Sequence, residues 1–383
     1  ETTSAMGFFD ARMEAPERLA IELALEAESR GAFVFNHAPV TGIGLARGHV
    51  ASVSVERGGE HFEIAVKAIV NATGPWSDLV SSMVPGAGPA IETTRGTHLM
   101  LDLGDHRMRA AVLSTARSDG RVFFAVPRGD LVLVGTTDDR VSERPEETRP
   151  TPADLAYLLA EAQALFPGLA IGRKQVAYAF AGQRSLARSG GSEAGAISRR
   201  LRVIDHGPQG GPDGLFSVVG GKLTTFRSAG QAVLRALGAH RAEPVSAVAP
   251  PGEWRQKAGE LARAPAEFSR LSAYGSRLDA VRAGGVERVC DVCGLMEGEV
   301  THAVVGEKAS SVADVVARRS GTAWLGERGL CCHELVAGLV GDQLGWGPGQ
   351  IRHEVATYEE FVRHNLPRPD ELMEAGPRSI SGK

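Results

Sequence analysis

Apolar and polar positions in the first 90 residues follow a helical pattern and then a strand pattern. A helix is predicted between Pro16 and Gly31, because apolar residues recur there at helical spacing and because proline and glycine favour its two ends. Residues 32–36 are predicted to form a strand. Residues 49–71 are predicted to form a hairpin that turns at 58–59 and leads into a buried strand. A helix that feeds a sheet in this way is typical of a doubly wound α/β domain.

From residue 91 to 206 the pattern becomes β-rich, with short turns that contain glycine and aspartate. This combination predicts a mostly antiparallel sheet. One helix is expected within it, where Thr151 can act as the N-cap, Pro152 occupies the first helical position and Asp154 lies in the first turn. An apolar strand then returns at 215–219, and a helix follows it as far as Gly238.

Beyond that helix, prolines and glycines indicate a linker, after which helical patterns return. The predicted fold class is therefore α/β (α+β). The predicted parts are a doubly wound domain at 1–90 and 207–238, an inserted antiparallel-sheet domain at 91–206, a linker at 239–255, a C-terminal helical cap domain at 256–370 and a flexible tail at 371–383.

Charge and cysteine content narrow the function classes. A formal net charge of −4 over 383 residues argues against a nucleic-acid-binding protein, which would carry an excess of Lys and Arg. The sequence contains neither an apolar run long enough to span a bilayer nor a secretory leader. Four cysteines are too few for a disulfide scaffold, and this favours a cytoplasmic protein.

The segment LFSVVGGKLTTFRSAG, residues 215–230, is the strongest candidate for a ligand site. It places two glycines between a strand and a helix, and Lys222 is predicted to lie in the first turn of that helix. Backbone N–H groups at a helix start have no intrahelical acceptor, so they favour negative charge, and a lysine beside them suggests an electron-rich ligand. The alternative is that the glycines only allow the strand and helix to pack closely, with Lys222 in solvent.

Three further positions are candidates for the same site. Gly74 follows a buried strand in NATGPWSD, where bare backbone can approach a cofactor or simply form a tight strand exit. Arg184 follows an apolar run, and its guanidinium suits phosphate or carboxylate, although a lone arginine is usually a surface residue. His98 lies in the β-run GTHLML, where a core histidine with satisfied hydrogen bonds is the alternative.

Taken together, these motifs resemble one family. The segments IVNATGPWSD, RGTHLML, VGTTD, AGQRSL and GGKLTTFRSAG occur in the order and approximate spacing of FAD-dependent glycerol-3-phosphate dehydrogenases, which are D-amino-acid-oxidase-like flavoproteins. The helical tail also resembles the C-terminal cap of that family. The resemblance extends over residues 5–365 and implies an FAD-binding domain for the doubly wound part.

The resemblance also implies roles for individual residues. Arg184 and Lys222 would bind sn-glycerol 3-phosphate with help from the Thr225 hydroxyl, and His98 would assist removal of the C2 hydroxyl proton. Electrons would pass to a membrane quinone from a protein attached peripherally to the cytoplasmic membrane, and a homodimer is left open. The implied FAD-binding residues are Val40, Ala72, Thr73, Gly74, Trp76, Gly220, Gly221, Leu223 and Thr224.

The sequence departs from the family pattern at its N-terminus. The family's GxGxxG strand and a further phosphate-binding arginine would precede Glu1, so the FAD-binding domain is expected to be incomplete and to hold FAD weakly by itself. Two other functions stay open. One is a related flavin oxidase that acts on an amine or amino acid, with Arg184 binding a carboxylate. The other is a truncated, non-catalytic fragment that binds no flavin.

The four cysteines are expected not to bind metal. Cys290 and Cys293 form one CxxC, whereas Cys331 and Cys332 are adjacent, which is a poor spacing for two ligands of one tetrahedral site. A second CxxC is absent, and the resemblance to the helical cap runs through both pairs.

Overall fold

The computed structural model describes residues 6–10, 12–188, 200–238 and 252–374. Most of the predicted linker, residues 239–251, and the end of the predicted tail, residues 375–383, lie outside these ranges. Within the ranges, no helix combines the length and the apolar character needed to cross a lipid bilayer. The division into domains stays a prediction.

The strands are β1 (Val40–Ala46), β2 (His49–Arg57), β3 (Glu60–Ala65), β4 (Ile69–Asn71), β5 (Ile91–Leu101), β6 (Val112–Thr115), β7 (Val122–Arg128), β8 (Leu131–Gly135), β9 (Asp139–Arg140), β10 (Val176–Ala187), β11 (Arg202–Asp205) and β12 (Leu215–Val219). The helices are α1 (Pro16–Ser29), α2 (Ser77–Ser81), α3 (Pro152–Leu165), α4 (Phe226–Ala236), α5 (Gly252–Leu261), α6 (Pro265–Ser272), α7 (Leu278–Ala283), α8 (Glu297–Val305), α9 (His333–Leu344), α10 (Pro348–Asn365) and α11 (Pro369–Glu374). A π-helical turn covers Asp314–Arg319, and 3-10 turns at Gly74–Trp76 and Leu223–Thr225 begin α2 and α4.

The predicted hairpin is confirmed, but the strand predicted at 32–36 is wrong. Strands β1, β2 and β3 form a small antiparallel sheet, in which β1 was not predicted. Residues 34–37 instead bond to the C-terminal region: Asn36 donates to the Lys308 carbonyl at 2.6 Å, and Lys308 Nζ donates to the Val34 carbonyl at 3.1 Å. His37 also pairs with Asp314 at 2.6 Å. The apolar pattern predicted pairing with a neighbouring strand, but this segment bonds to the C-terminal region.

Strand β12 pairs in parallel with β4 and antiparallel with β11. The predicted strands at 69–70 and 215–219 are both confirmed. Because β4 and β12 run in the same direction, their carboxyl ends meet at one edge of the sheet, where ligands bind in open α/β folds. The 202–205 segment, grouped by sequence with the inserted domain, pairs with β12 in this sheet.

The predicted antiparallel sheet has the strand order β10-β5-β8-β7-β6, and β9 also pairs with β5. Helix α3 covers one face, and its predicted cap is confirmed, because Thr151 Oγ1 accepts from the Asp154 N–H at 3.1 Å. Leu99 and Ala179 belong to the core on this face. On the other face, Met100 and Tyr178 join the core of the C-terminal helices, so the sheet is buried between the two layers.

A buried ion pair fastens α1 to the C-terminal region. The Arg18 side chain is 4% exposed and contacts Glu307, which is fully buried, and also Glu22. The guanidinium carbon lies 4.5 Å from the ring centroid of Tyr274. Since Glu307 is removed from water, its charge must be compensated; Arg18 supplies a guanidinium, and His302 Nε2 lies 3.1 Å from the same carboxylate.

We expect Arg18→Ala to lower the free energy of unfolding by about 3–5 kcal/mol, because it leaves the Glu307 carboxylate buried without its cation. Arg30→Ala is the matched control, since Arg30 pairs with Glu26 at the end of the same helix but is 58% exposed. The control is expected to change stability by less than about 1 kcal/mol. Urea denaturation of both variants measures the difference, and equal losses would contradict the proposed anchor.

Candidate functional site

Two turns of bare backbone lie at the same edge of the parallel strand pair. Gly74 follows β4 with φ of 59°, and Gly220 and Gly221 follow β12 with φ of 68° and 83°. Positive φ at all three positions favours glycine over any residue with a side chain. A Cβ built on Gly74 would meet no atom within 4 Å, so the turn faces open space. Parallel pairing therefore brings together two motifs that are far apart in sequence.

A buried polar network holds the first of these turns. Asn71 Nδ2 donates to the Ser77 carbonyl at 2.9 Å and to the Ser217 hydroxyl at 3.4 Å, while Thr73 Oγ1 donates to Asn71 Oδ1 at 2.6 Å. His206 Nε2 contacts the same Ser217 hydroxyl at 2.9 Å. The network joins β4 to β12 beneath the turn and fixes its position. Sequence reasoning missed it, because its members are ordinary polar residues at scattered positions.

The start of the helix after β12 is exposed and has N–H groups available. Lys222 lies in extended backbone before the 3-10 turn, so its predicted place within the first helical turn is wrong. The Gly220 N–H donates to the Ser185 carbonyl at 3.1 Å, and the Lys222 N–H donates to Thr225 Oγ1 at 3.4 Å. Within the described ranges, three N–H groups here have no hydrogen-bond partner: those of Gly221, Leu223 and Thr224.

The surroundings of the two turns fit a flat, partly apolar group. Trp76 and Leu223, one from each turn, expose 40% and 46% of their surface. The Thr225 hydroxyl, expected to contact substrate, donates to the Lys222 carbonyl at 2.8 Å and so closes the turn. Val40 begins β1 in the separate three-stranded sheet and is 37% exposed. Backbone N–H groups beside exposed apolar side chains fit a heteroaromatic ring system that carries polar atoms along one edge.

Arg184 lies on the antiparallel sheet, across a glycine of the neighbouring strand. A Cβ built on Gly96 would overlap the Arg184 guanidinium. The missing side chain at Gly96 therefore leaves the space that the arginine occupies. Arg184 Nη1 donates to Asp138 Oδ1 at 3.0 Å, and Nη2 donates to Thr136 Oγ1 at 2.9 Å. The guanidinium is therefore oriented by its neighbours, and its side chain is 25% exposed.

His98 lies near Arg184 on the same strand pair and is uncharged near neutral pH. Its ring stacks on Phe180, with centroids 5.1 Å apart and planes 16° apart, and Gly135 leaves room for its edge. Burial, together with the positive charge of Arg184, lowers the pKa of His98 to about 4. Within the described ranges its Nδ1 is buried without a hydrogen-bond partner. The alternative of a satisfied core histidine does not fit that observation.

Backbone contacts connect these groups to the glycine turns. Arg184 is opposite Thr94 and His98 is opposite Phe180, so Arg184, Gly96 and His98 share one face of the sheet. The next residue of β10, Ser185, accepts the Gly220 N–H described above. Arg184 is thus brought next to the end of β12, and His98 lies further along the same face of the sheet, beyond Gly96.

The supporting residues around Arg184 and His98 were not predicted individually. Gly96, Gly135, Thr136 and Asp138 lie within the segments RGTHLML and VGTTD, which carried the family resemblance. A glycine within a β-run signals a close approach by another group. That signal shows where contact occurs, but it does not identify the side chain that makes it.

Known proteins of similar sequence and structure agree with these observations. Residues 2–234 match the DAO family, described as FAD dependent oxidoreductase. A glycerol-3-phosphate dehydrogenase of Synechocystis sp. is 26% identical over 395 aligned residues, covering 94% of this chain and 71% of that protein. An aerobic glycerol-3-phosphate dehydrogenase of Staphylococcus haemolyticus is 32% identical over 214 residues, covering 55% of this chain and only 38% of that protein.

The X-ray structure of the glycerol-3-phosphate dehydrogenase from Bacillus halodurans, complexed with FAD, is similar throughout this chain. The TM-score is 0.74 at 25% identity, and the match covers 93% of this chain and 74% of that one. This similarity confirms the predicted fold class, including the helical C-terminal region. Since the family match extends over more than half of the sequence, the protein belongs to the DAO family of FAD-dependent oxidoreductases.

Proposed function

We propose that the protein catalyses the FAD-dependent oxidation of sn-glycerol 3-phosphate to dihydroxyacetone phosphate. The observation that carries this proposal is the position of Arg184, held over Gly96 with neutral His98 nearby and linked through Ser185 to the glycine turn after β12. An oriented guanidinium suits a phosphate, and a neutral imidazole suits a proton acceptor. The names of the relatives identify sn-glycerol 3-phosphate as the substrate to test first.

We assign the cofactor to the edge formed by the two turns. Bound FAD supplies the acceptor for the hydrogen and two electrons that leave the substrate carbon. The N–H groups of Gly221, Leu223 and Thr224 would stabilise negative charge on the polar edge of the flavin. The remaining assignments follow the family resemblance: Ala72, Thr73, Gly74, Trp76 and Gly220 beside the flavin, and Val40 at the adenine end.

The substrate phosphate is assigned to Arg184 and Lys222. Asp138 already offsets part of the Arg184 charge, so a second cation is needed to match a phosphate dianion. Lys222 is exposed and lies two residues after Gly220, which bonds to the neighbour of Arg184. Thr225 closes its own turn with its hydroxyl proton and could offer the substrate only an acceptor oxygen.

His98 is assigned to receive the proton of the C2 hydroxyl on its imidazole ring. The low pKa keeps the ring neutral at physiological pH, so that it can accept a proton. Gly135 and the Phe180 ring hold the imidazole in place. Nearby Arg184 opposes protonation of the resting ring, whereas an incoming phosphate dianion would offset that charge and raise the proton affinity of His98.

For the electron acceptor we propose a membrane quinone, reached from peripheral attachment at the cytoplasmic membrane. The support for this step is the family resemblance alone, and a homodimer is likewise left open. Because the chain spans little more than a third of the staphylococcal relative, the activity of the whole protein needs a direct assay.

The direct assay measures dye reduction by the full-length protein with sn-glycerol 3-phosphate, unphosphorylated glycerol and simple amines such as glycine or sarcosine. We expect a flavin absorbance spectrum and turnover that requires the phosphate. Turnover of the amines alone would replace the proposal with an amine or amino-acid oxidase. A folded protein without flavin would support a non-catalytic fragment.

Gly96→Ala tests the phosphate site without changing any charge. A methyl group there would displace the Arg184 guanidinium, so we expect kcat/KM for sn-glycerol 3-phosphate to fall by about 30- to 1,000-fold, equivalent to about 2–4 kcal/mol. The control is Gly168→Ala: Gly168 lies in the loop that follows α3, is exposed, and its Cβ would also meet nothing within 4 Å. Steady-state kinetics measures both variants, and equal losses would remove Arg184 from the site.

His98 gives a prediction for pH dependence. Its pKa is about 4 in the fold, against 6.5 for an unperturbed histidine, so the unfolded chain binds the proton first as pH falls. Its contribution to stability is therefore complete above pH 6.5 and falls by about 3 kcal/mol as pH decreases towards 4.

Histidine-selective NMR titration measures this pKa directly, and the signal missing in His98→Gln assigns the resonance. We also expect the urea midpoint of His98→Gln to depend less on pH between 6.5 and 4 than that of the unmodified protein. A His98 resonance that titrates near 6.5 would contradict its role as a neutral proton acceptor.

A further inference from the structure

The four cysteines converge in the C-terminal region, although they lie far apart in sequence. The Sγ atoms of Cys290, Cys293 and Cys331 all lie within 4.8 Å of one another, in a largely buried position. Cys332 follows Cys331 and is buried, and its Sγ donates to the Gly329 carbonyl at 3.3 Å. We propose that Cys290, Cys293 and Cys331 bind one metal ion, preferably zinc, and that Cys332 becomes the fourth ligand when its thiol loses its proton and releases the Gly329 carbonyl.

The first two ligands lie in a tight turn shaped for this purpose. The N–H groups of Val289 and Cys290 both donate to the Leu295 carbonyl, at 2.8 and 3.4 Å, and so close the turn. Gly294, which follows Cys293, has φ of 67° and thereby reverses the chain. These backbone contacts hold the two cysteines of the turn in place as ligands.

A buried arginine supports the turn from behind. Arg270 donates to the carbonyls of Cys293 and Gly294, both at 2.8 Å, and its charge is balanced by Glu299, also at 2.8 Å. Glu299 in turn accepts the Met296 N–H at 3.0 Å. Because Arg270 fixes both carbonyls, the turn keeps its shape around a bound ion.

The second pair of cysteines comes from the start of a long helix. Cys332 is the N-cap residue of the 12-residue helix α9, and Cys331 precedes it. The positive end of the helix dipole adds to the stabilisation of thiolate charge. His333 is not available as a ligand, because its Nδ1 contacts the Leu330 carbonyl at 2.9 Å and its Nε2 contacts Glu359 at 3.4 Å.

The distances favour one ion over a cluster of several irons. With Zn–S bonds of about 2.3 Å, the sulfurs of a tetrahedral site lie about 3.8 Å apart. The 4.8 Å limit on the sulfurs of Cys290, Cys293 and Cys331 is within about 1 Å of that spacing, so small side-chain adjustments bring these three into position. An iron–sulfur cluster distributes its cysteines over several metal atoms and needs a wider set of sulfurs. The spacing of the cysteines in the sequence argued against a metal site, but the fold brings the two pairs together.

The test is metal analysis of the full chain purified under reducing conditions without chelator, then loaded with Zn²⁺ and dialysed. We expect about one tightly bound zinc per chain, and the Co²⁺-loaded protein should show the visible bands of a tetrahedral thiolate complex. The variants Cys290→Ser, Cys293→Ser and Cys331→Ser should each lose most of the zinc, and Cys332→Ser should weaken its binding. His333→Gln, which changes a neighbour outside the ligand set, should retain the metal.

If a cysteine variant fails to fold, the zinc content and the cobalt spectrum of the unmodified protein still test the proposal. The proposal is overturned if the loaded chain holds no zinc and gives no cobalt thiolate spectrum. It is also overturned if the protein contains acid-labile sulfide with iron, which would identify a cluster, or if mass spectrometry finds these cysteines as disulfides in the protein as purified. None of these outcomes depends on the proposed dehydrogenase activity.

Discussion

The parallel pairing of β4 with β12 is the constraint on which the candidate site depends. It places the turn at Gly74 beside the turn at Gly220–Gly221, and the Asn71–Ser217 contact locks the two strands together beneath them. Neither turn alone distinguishes a ligand site from a tight strand exit. Together at one edge, with exposed N–H groups after β12 and apolar side chains on both turns, they form the surface to which we assign the flavin.

In the proposed site, the antiparallel sheet contributes the substrate side, because its two faces differ. One face packs on α3, and the other is shared between the C-terminal helices at Met100 and Tyr178 and the group formed by Arg184 and His98. The Phe180 ring, which stacks on His98, also meets Trp324 edge-on at 5.4 Å. Packing of the C-terminal region therefore helps to define the environment that keeps His98 neutral.

Local chemistry in the sequence was enough to predict most of the elements. Capping at Thr151, the hairpin turn at 58–59 and the apolar run at 215–219 each specify their structure through neighbouring residues. The failures involve long-range partners. Residues 32–36 have a strand pattern, but their polar neighbours bond to Lys308 and Asp314, and no local signal reports that.

The same distinction applies to the sites. Arg184 and His98 were recognisable as candidates by residue type and by resemblance, whereas the bare positions that receive them, Gly96 and Gly135, depend on strand register. The cysteines show the opposite case, since an unfavourable spacing in sequence becomes a compact group when α9 packs beside the turn at 290–294. Sequence spacing indicates whether residues of one helix or turn can bind the same metal ion. It says little about residues that come from two separate elements.

The most direct measurement is an experimental structure of the protein with FAD and a phosphorylated substrate analogue. We expect the flavin ring to lie across Gly74 and Gly220–Gly221, with the analogue's phosphate on Arg184 and Lys222 and its C2 oxygen near the His98 ring. A flavin bound elsewhere, or a phosphate that makes no contact with Arg184, would contradict the proposed site.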